Sequence, residues 1–456
     1  MILRANATTA GAVAVAIGAT IVRFPRVVTD PFWQDEVASA RILREPSVGS
    51  MLGRVARTES TPPLWYALGW LLHQLGVSLT DVRIVSVLAG ALLAALVVRF
   101  AADVVPVPAA ILAGVLVSLG GQFAFADREL RAYALLALLS VVFAFVLERG
   151  AVLPLAIVTT LGALTHYFFL FTVAAGLAWL WLEPEARARR RRATVAIAAG
   201  LALVAPWLPY ALRQYEQDRY SWIGAFNGRE VVNTALRLFT PLGHTEWLPL
   251  AFLGLVVAGA VRLARMSARG RLCAALAFGP IVLAGAAWLG GVQIYADRNL
   301  IEAGAFVAVC GVAALPVRRL SLVAAPAAAA LMVFSFVVAQ TPATPYAQIA
   351  RALVGEGWRA GDPVAVFGSP YDFRSPLEWY LPHGPQLAIY SMEPRCGATF
   401  VVAGRAARRS LRDDLRSGRR AGPFLVARTD PDKTLRDERW LSSSKACYVG
   451  VRDGRA

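Results

Sequence analysis

The chain has 456 residues, 57% of them hydrophobic and 17% charged, and its mean hydropathy of +0.54 is far above what a soluble domain of that length needs. A net charge of +16 rests almost wholly on arginine, Lys433 and Lys445 being the only lysines, and much of it lies in short clusters between apolar runs, as membrane topology is written. This excludes a soluble enzyme and argues against a nucleic-acid surface, which would gather the charge on one soluble face among aromatics.

Residues 7–24 are apolar and lack a small-residue cleavage site, so they read as an uncleaved first span with a cytoplasmic N-terminus. The loop after it carries adjacent carboxylates, Asp35 and Glu36, flanked by Phe32 and Trp33, aromatics of the kind found at membrane surfaces. Arg41, Arg44, Arg54 and Arg57 follow in a helical stretch expected to lie along the surface. The run 62–76 begins with Pro-Pro and is short for a span. Beyond it, apolar runs at about 81–101, 106–125, 130–148, 151–166 and 167–182 end at Arg187, Arg189, Arg190, Arg191 and Arg192, the strongest inside signal in the chain. With the N-terminus inside, that cluster is also inside only if 62–76 does not cross. A flipped N-terminus with a crossing 62–76 satisfies it equally.

Spans at 195–212, 247–263, 272–290, 300–315 and 320–339 continue the alternation, with Arg262, Arg265, Arg269, Arg271, Arg318 and Arg319 all inside. The total is about eleven spans. Residues 213–246 form an outer loop bearing Tyr215, Tyr220, Trp222 and Phe226. The expected division is a transmembrane domain at 1–340, with its first outer loop at 25–80, and a small extracytoplasmic α/β domain at 341–456. In the latter, Asp362–Gly368 reads as strand and turn, with apolar patches at 386–390, 399–403 and 423–427 and a charged helical stretch at 405–417. No glycine-rich phosphate fingerprint opens a helix there, so no nucleotide is expected. Cys273 and Cys310 fall in apolar spans without metal-ligand spacing, whereas Cys396 and Cys447 can pair only if their segment is outside the cytoplasm.

On this topology one side of the membrane collects Asp35, Glu36, Glu59, Arg83, the run Asp127-Arg128-Glu129-Leu130-Arg131-Ala132-Tyr133, the pair His166-Tyr167, and Asp297-Arg298. Charges at span ends tend to pair or to line a wet cavity, because drawing each toward the bilayer centre costs about 2.5–3.5 kcal/mol. Carboxylates and arginines together suit glycosyl transfer from a phosphate leaving group: a carboxylate takes the acceptor's proton, and arginines meet the charge that develops on the phosphate. Asp35 or Glu36 fits the first role; Arg83, Arg131 and Arg298, with Tyr133, His166 and Tyr167 as neutral donors, fit the second.

The order of these motifs resembles the membrane-embedded GT-C glycosyltransferases, in particular the bacterial branch related to protein O-mannosyltransferases and aminoarabinose transferases. The resemblance rests on Pro31-Phe32-Trp33-Gln34-Asp35-Glu36-Val37, on Thr58-Glu59-Ser60-Thr61-Pro62-Pro63-Leu64-Trp65-Tyr66, on Arg83-x-x-Ser86, on Glu129-x-Arg131-x-Tyr133, on Leu164-Thr165-His166-Tyr167, and on Arg298 before a late span. It covers most of the first 180 residues well and the remainder loosely. One departure is Thr61, where many relatives carry His before Pro-Pro.

That resemblance settles the topology, with 62–76 along the surface and Asp35 outside. It implies catalysis by Asp35, with Glu36 beside it; a donor phosphate met by Arg83, Arg131, Tyr133, His166, Tyr167 and Arg298; and support from Glu59, Asp127, Glu129 and Asp297. Nucleotide sugars are not expected outside the cytoplasm. The donor is therefore a polyprenyl-phosphate-linked sugar, and the acceptor a glycan, lipid or protein hydroxyl at the outer face of the cytoplasmic (inner) membrane. Membrane lipids are partners and nucleic acid is not. The need for a divalent metal ion stays open, because no dense ligand set is visible. The competing reading is a transporter or flippase for lipid-linked glycans, a class that would place ionisable residues in mid-span and often shows internal repeats.

Overall fold

A computed structural model describes residues 2–217, 223, 225–239 and 248–315. In the C-terminal part it describes 346–355, 364–367, 376–381, 389–391, 400–403, 425–428 and 450–452. The chain divides into two compact units, one of Met1–Val28 with Ile42–Ala339, the other of Thr29–Arg41 with Gln340–Ala456. The expected span at 320–339, Arg318 and Arg319, Tyr220 and Trp222, the stretch 405–417, and Cys396 and Cys447 lie outside the described residues.

The first unit is a helical bundle. Helix α1 (Ile2–Thr29) is followed by α2 (Gln34–Leu43), which begins in the second unit, and by α3 (Val48–Thr58) and α4 (Leu64–Gln74). The 11 residues of α4 rise only about 16 Å, short of the roughly 30 Å hydrocarbon core. Next come α5 (Ile84–Ala101), α6 (Val107–Leu119), a short α7 (Gly121–Ala126), α8 (Tyr133–Arg149), α9 (Val152–Thr165) and α10 (Phe169–Leu182). The run 106–125, expected as one helix, breaks at Gly120, whose backbone turns extended. Gly150 ends α8 with φ +65°, the left-handed cap conformation that favours glycine. The run 195–212 is likewise two helices, α11 (Arg190–Ala202) and α12 (Leu208–Glu216). Pro206 and Pro209 lack the N–H groups a continuous ladder requires there. Then follow α13 (Gly228–Arg237), α14 (Leu248–Met266), α15 (Ala268–Leu289) and α16 (Ile301–Ala313).

Five helical stretches among the described residues are long and apolar enough to cross a membrane: Arg4–Val27, Asp81–Ala101, Arg190–Glu216, Pro249–Met266 and Ala268–Leu289. Helices α6, α9 and α10 are apolar but shorter. The core runs through α5, α6, α8, α10, α15 and α16, where Leu93, Phe100, Leu136, Phe143, Phe169, Leu276 and Phe306 are buried.

Polar contacts gather at the two ends of this bundle. At one end Arg269 bonds Glu148 (2.8 Å) and Asp103, and Arg271 bonds Glu183 (2.6 Å), tying the C-terminal ends of α5, α8 and α10 to the start of α15. These contacts involve the arginine cluster assigned to the inside. The other end, where α5 and α8 begin and α9 ends, carries Arg83, Glu129, Arg131, Tyr133 and His166.

In the second unit, five strands, β1 (Val364–Phe367), β2 (Ile389–Ser391), β3 (Phe400–Ala403), β4 (Leu425–Arg428) and β5 (Gly450–Arg452), pair in parallel in the order β2-β1-β3-β4-β5. Val364 lies opposite both Ile389 and Phe400. Runs such as Val-Ala-Val-Phe and Phe-Val-Val-Ala have the continuous apolar character of strands covered on both faces.

Candidate active site

Within the second unit, the Asp35 segment is held by residues far away in sequence. The N–H of Phe32 donates to the Tyr380 hydroxyl (2.7 Å), Phe32 meets Trp379 edge to face, and Arg41 pairs with Glu378 at 3.5 Å. The two carboxylates then differ locally. Glu36 is buried and its Oε2 accepts the N–H of Trp33 (3.3 Å), as a residue at the third helical position does in capping its own helix. Asp35, one residue earlier in the first turn of α2, is half-buried. Both sit where the helix dipole favours negative charge.

In the first unit the centre is Arg131. Its Nη1 donates to Glu59 Oε2 (2.9 Å) and to the Tyr66 hydroxyl (3.1 Å), while the Tyr66 O–H donates to the same Glu59 oxygen (2.7 Å). Thr61 Oγ1 lies 3.1 Å from the Tyr66 hydroxyl. All four residues are buried. The Pro-Pro step positions them: Pro63 caps α4, and the helix then carries Tyr66 back over Glu59 and Thr61.

His166 caps α9 and is buried beside the Tyr133 ring, with centroids 5.6 Å apart. Its Nδ1 accepts the N–H of Phe168 (3.3 Å), so in the neutral ring the proton sits on Nε2, which can donate. Burial, reinforced by the charges of Arg131 and Arg298, pulls the imidazole down to about 3. Asp297, preceding Arg298, does not form the plain pair with it that adjacency suggests: it pairs with Arg237 on α13 (3.3 Å) and accepts from Thr234 (3.1 Å). Those bonds pin α13 to the segment that carries Arg298.

The remaining residues expected at the site make the following contacts. Buried Arg83 donates from Nη1 to Val27 O (3.0 Å), closing the end of α1, and Ser86 of the same motif donates to Glu129 O (2.7 Å), fixing the stretch that carries Arg131. Asp127 pairs at 2.6 Å with Arg23, which also bonds Ser118 O. A Cβ on Gly90 would run into that carboxylate. Burial pushes Asp127 up to about 7 against the opposing pull of Arg23 and Arg128. Tyr167 turns away from its neighbour: its hydroxyl donates to Gln214 Oε1 (2.6 Å) and accepts from Trp207 Nε1 (2.9 Å). It lines an apolar groove of about 540 Å3 with Phe171, Leu201, Trp207, Leu208 and Gln214.

Sequence reasoning passed over Arg23, Tyr66, Gln214 and Glu302. Arg23 ends an apolar run, Tyr66 stood inside a quoted motif, and Gln214 is an amide in a broken span. Glu302, in the first turn of α16, is wholly buried, with neither carboxylate oxygen partnered among the described residues. No group of three or more His, Cys, Asp or Glu side chains placed to hold a metal occurs among the described residues.

No protein-family model and no curated protein sequence matches the chain. Solved structures do. An oligosaccharyltransferase from Archaeoglobus fulgidus, crystallised with Zn and sulfate, superposes with a TM-score of 0.52 at 15% identity over 86% of this chain and 60% of its own. ArnT from Cupriavidus metallidurans in the apo state gives 0.56 at 13% identity, over 90% of this chain and 88% of its own. AglB from A. fulgidus, in complex with an inhibitory peptide and a dolichol-phosphate, gives 0.50 at 13% identity over 87% and 62%. The chain thus spans less than two thirds of the archaeal proteins and most of ArnT. It has the fold of the GT-C membrane glycosyltransferases, as the motifs from Asp35 to Arg298 led us to expect.

Proposed function

We propose that this protein moves a sugar from a polyprenyl-phosphate donor to an acceptor hydroxyl at the outer face of the cytoplasmic membrane. The observation that carries the reading is the division made by two consecutive residues. His166 lies within the electrostatic reach of Arg131 and Arg298, while Tyr167 lines the apolar groove. A buried cationic site beside a hydrocarbon-lined channel suits one class of ligand, a phosphate ester on a long apolar chain. Leu208, Leu212 and Tyr215 along the groove are more than half exposed, as a wall open to lipid would be.

In this reading Asp35 accepts the acceptor's proton as the acceptor oxygen attacks the anomeric carbon. The bond from that carbon to the phosphate oxygen breaks, and its electron pair leaves on the polyprenyl phosphate. A single displacement inverts the anomeric centre. Arg131 and Arg298 meet the charge on the departing phosphate, Tyr133 and the Nε2–H of His166 serve as neutral donors, and Glu59 with Tyr66 fixes Arg131. Glu36, engaged in capping α2, sets the orientation of Asp35. Arg83 acts through the end of α1.

The test is release of free polyprenyl phosphate from a panel of polyprenyl-phosphate sugars by the purified protein, an outcome that flipping alone does not produce. Asp35→Asn keeps the side-chain volume and removes the base, so turnover should vanish while the protein stays folded. Turnover at the wild-type rate by that variant would remove Asp35 from the mechanism.

A further inference from the structure

A chain of hydrogen bonds leads from the wall of the apolar groove to Arg131. Trp207 Nε1 donates to the Tyr167 hydroxyl (2.9 Å), which donates to Gln214 Oε1 (2.6 Å); Gln214 Nε2 donates in turn to Val55 O (3.0 Å) and Thr61 O (3.3 Å). Val55 O also receives the N–H of Glu59 (3.0 Å). Glu59 and Thr61 then bind Tyr66, and Glu59 binds Arg131. Trp207, Tyr167 and Gln214 all line the groove, and so does Ser60, within the segment that Gln214 closes.

Gln214 is only 2% exposed. Burying a primary amide is unfavourable unless its donors and acceptor are satisfied, and here all of them are directed at Tyr167 and the 55–61 segment. The amide thus ties α12 to the 55–61 segment on one side and to the groove wall on the other.

We propose that Gln214 is a positioning residue through which the hydrocarbon chain of the donor sets the geometry of Arg131. The inference rests on the reading of the groove as the prenyl site. An occupant packed on Trp207 and Tyr167 holds the Gln214 amide. The amide holds Val55–Thr61, and that segment holds Glu59 and Tyr66 against the arginine. Contacts with a remote, unreacting part of a substrate raise kcat when they set the geometry of the reacting part. Shortening the prenyl chain should therefore lower kcat and not merely raise KM.

Two readouts on the full-length protein in detergent test this. The first is hydrogen exchange of the backbone amides in 55–61, with a long-chain polyprenyl phosphate or a two-isoprene one as probe. The long chain should slow exchange severalfold in the wild type and the short one should not. Gln214→Leu, and separately Tyr167→Phe, which keeps the ring in the groove, should bind the long chain without slowing exchange. The second readout is kcat on the corresponding sugar donors. A long-to-short ratio of about tenfold in the wild type should approach one in both variants. Exchange indifferent to a bound long chain, no binding of the long chain, or a kcat ratio that survives both substitutions would each overturn the proposal. If no donor is turned over, the proposed function fails, and the exchange measurement still decides the coupling.

Discussion

Two buried arginine–carboxylate pairs stand at the same end of the bundle and are built for different ends. Arg131 and Glu59 belong to the loop before α4 and the turn before α8, and two hydroxyls, Tyr66 and Thr61, join them in one network. Arg23 and Asp127 join helices instead. Arg23 on α1 reaches Ser118 on α6 and the carboxylate before α8, which nests against Gly90 on α5. In that second pair, Arg23 Nε and Nη1 and Asp127 Oδ1 have no partner among the described residues. A network rich in hydroxyls can shift its bonds as charge appears nearby, whereas a bare pair wedged among helices is a joint.

The largest effect is expected at the joint between Arg23 and Asp127. Arg23→Ala leaves Asp127 alone in the bundle and should lower stability by about 3–5 kcal/mol, read from unfolding in mixed micelles. The paired change Arg23→Met with Asp127→Leu should recover most of that loss, because an apolar pair of similar volume needs no desolvation. Persistent damage in the double variant would show that the charges, and not the packing, are required.

At the other pair the expected loss is in rate. Arg131→Ala should reduce kcat by roughly a hundred- to a thousand-fold, the effect of removing one donor to a developing oxyanion. Arg131→Lys should not restore it, since a single ammonium cannot serve Glu59, Tyr66 and a phosphate in the planar geometry of a guanidinium. Normal kcat with lowered stability in Arg131→Ala would make this pair a second joint. Tyr66→Phe is milder, about tenfold in kcat for the roughly 1.4 kcal/mol lost with one hydrogen bond to a charged group. Unchanged kcat in that variant would remove Tyr66 from the positioning of the arginine.

Helix positions were largely legible because apolar runs have lengths set by the bilayer. What the runs did not reveal were breaks inside them, at Gly120 and at Pro206, where a single residue overrides hydropathy. Motif order placed Arg131, Glu59 and His166 at one end of the bundle, yet spacing along a chain does not say which neighbour a side chain chooses. Asp297 pairs with Arg237 and not with its neighbour Arg298, Arg83 bonds a carbonyl at the end of α1, and adjacent His166 and Tyr167 have different surroundings. Arg23 escaped notice because its partner lies across the bundle, and Gln214 because its acceptors are backbone carbonyls, which carry no signal in sequence.

The smallest effect expected near neutral pH concerns His166, and its sign follows from burial. The ring ordinarily titrates near 6.5, and in the folded protein it is held down to about 3, first by burial and then by Arg131 and Arg298. It is therefore neutral in both folded and unfolded states above pH 6.5 and contributes no pH dependence there. Between about 6.5 and 3 the unfolded chain binds a proton that the folded one refuses, so stability should fall as the pH drops through that window. His166→Asn should flatten that part of the stability profile. The shape of kcat against pH between 6 and 8 should be alike in wild type and variant, whatever the absolute rates, because a neutral donor has no proton to lose or gain in that range. An inflection near 6.5 in the wild type that disappears in His166→Asn would mean that the imidazole charges during turnover and serves as an acid, outside the reach of the arginines that now keep it neutral.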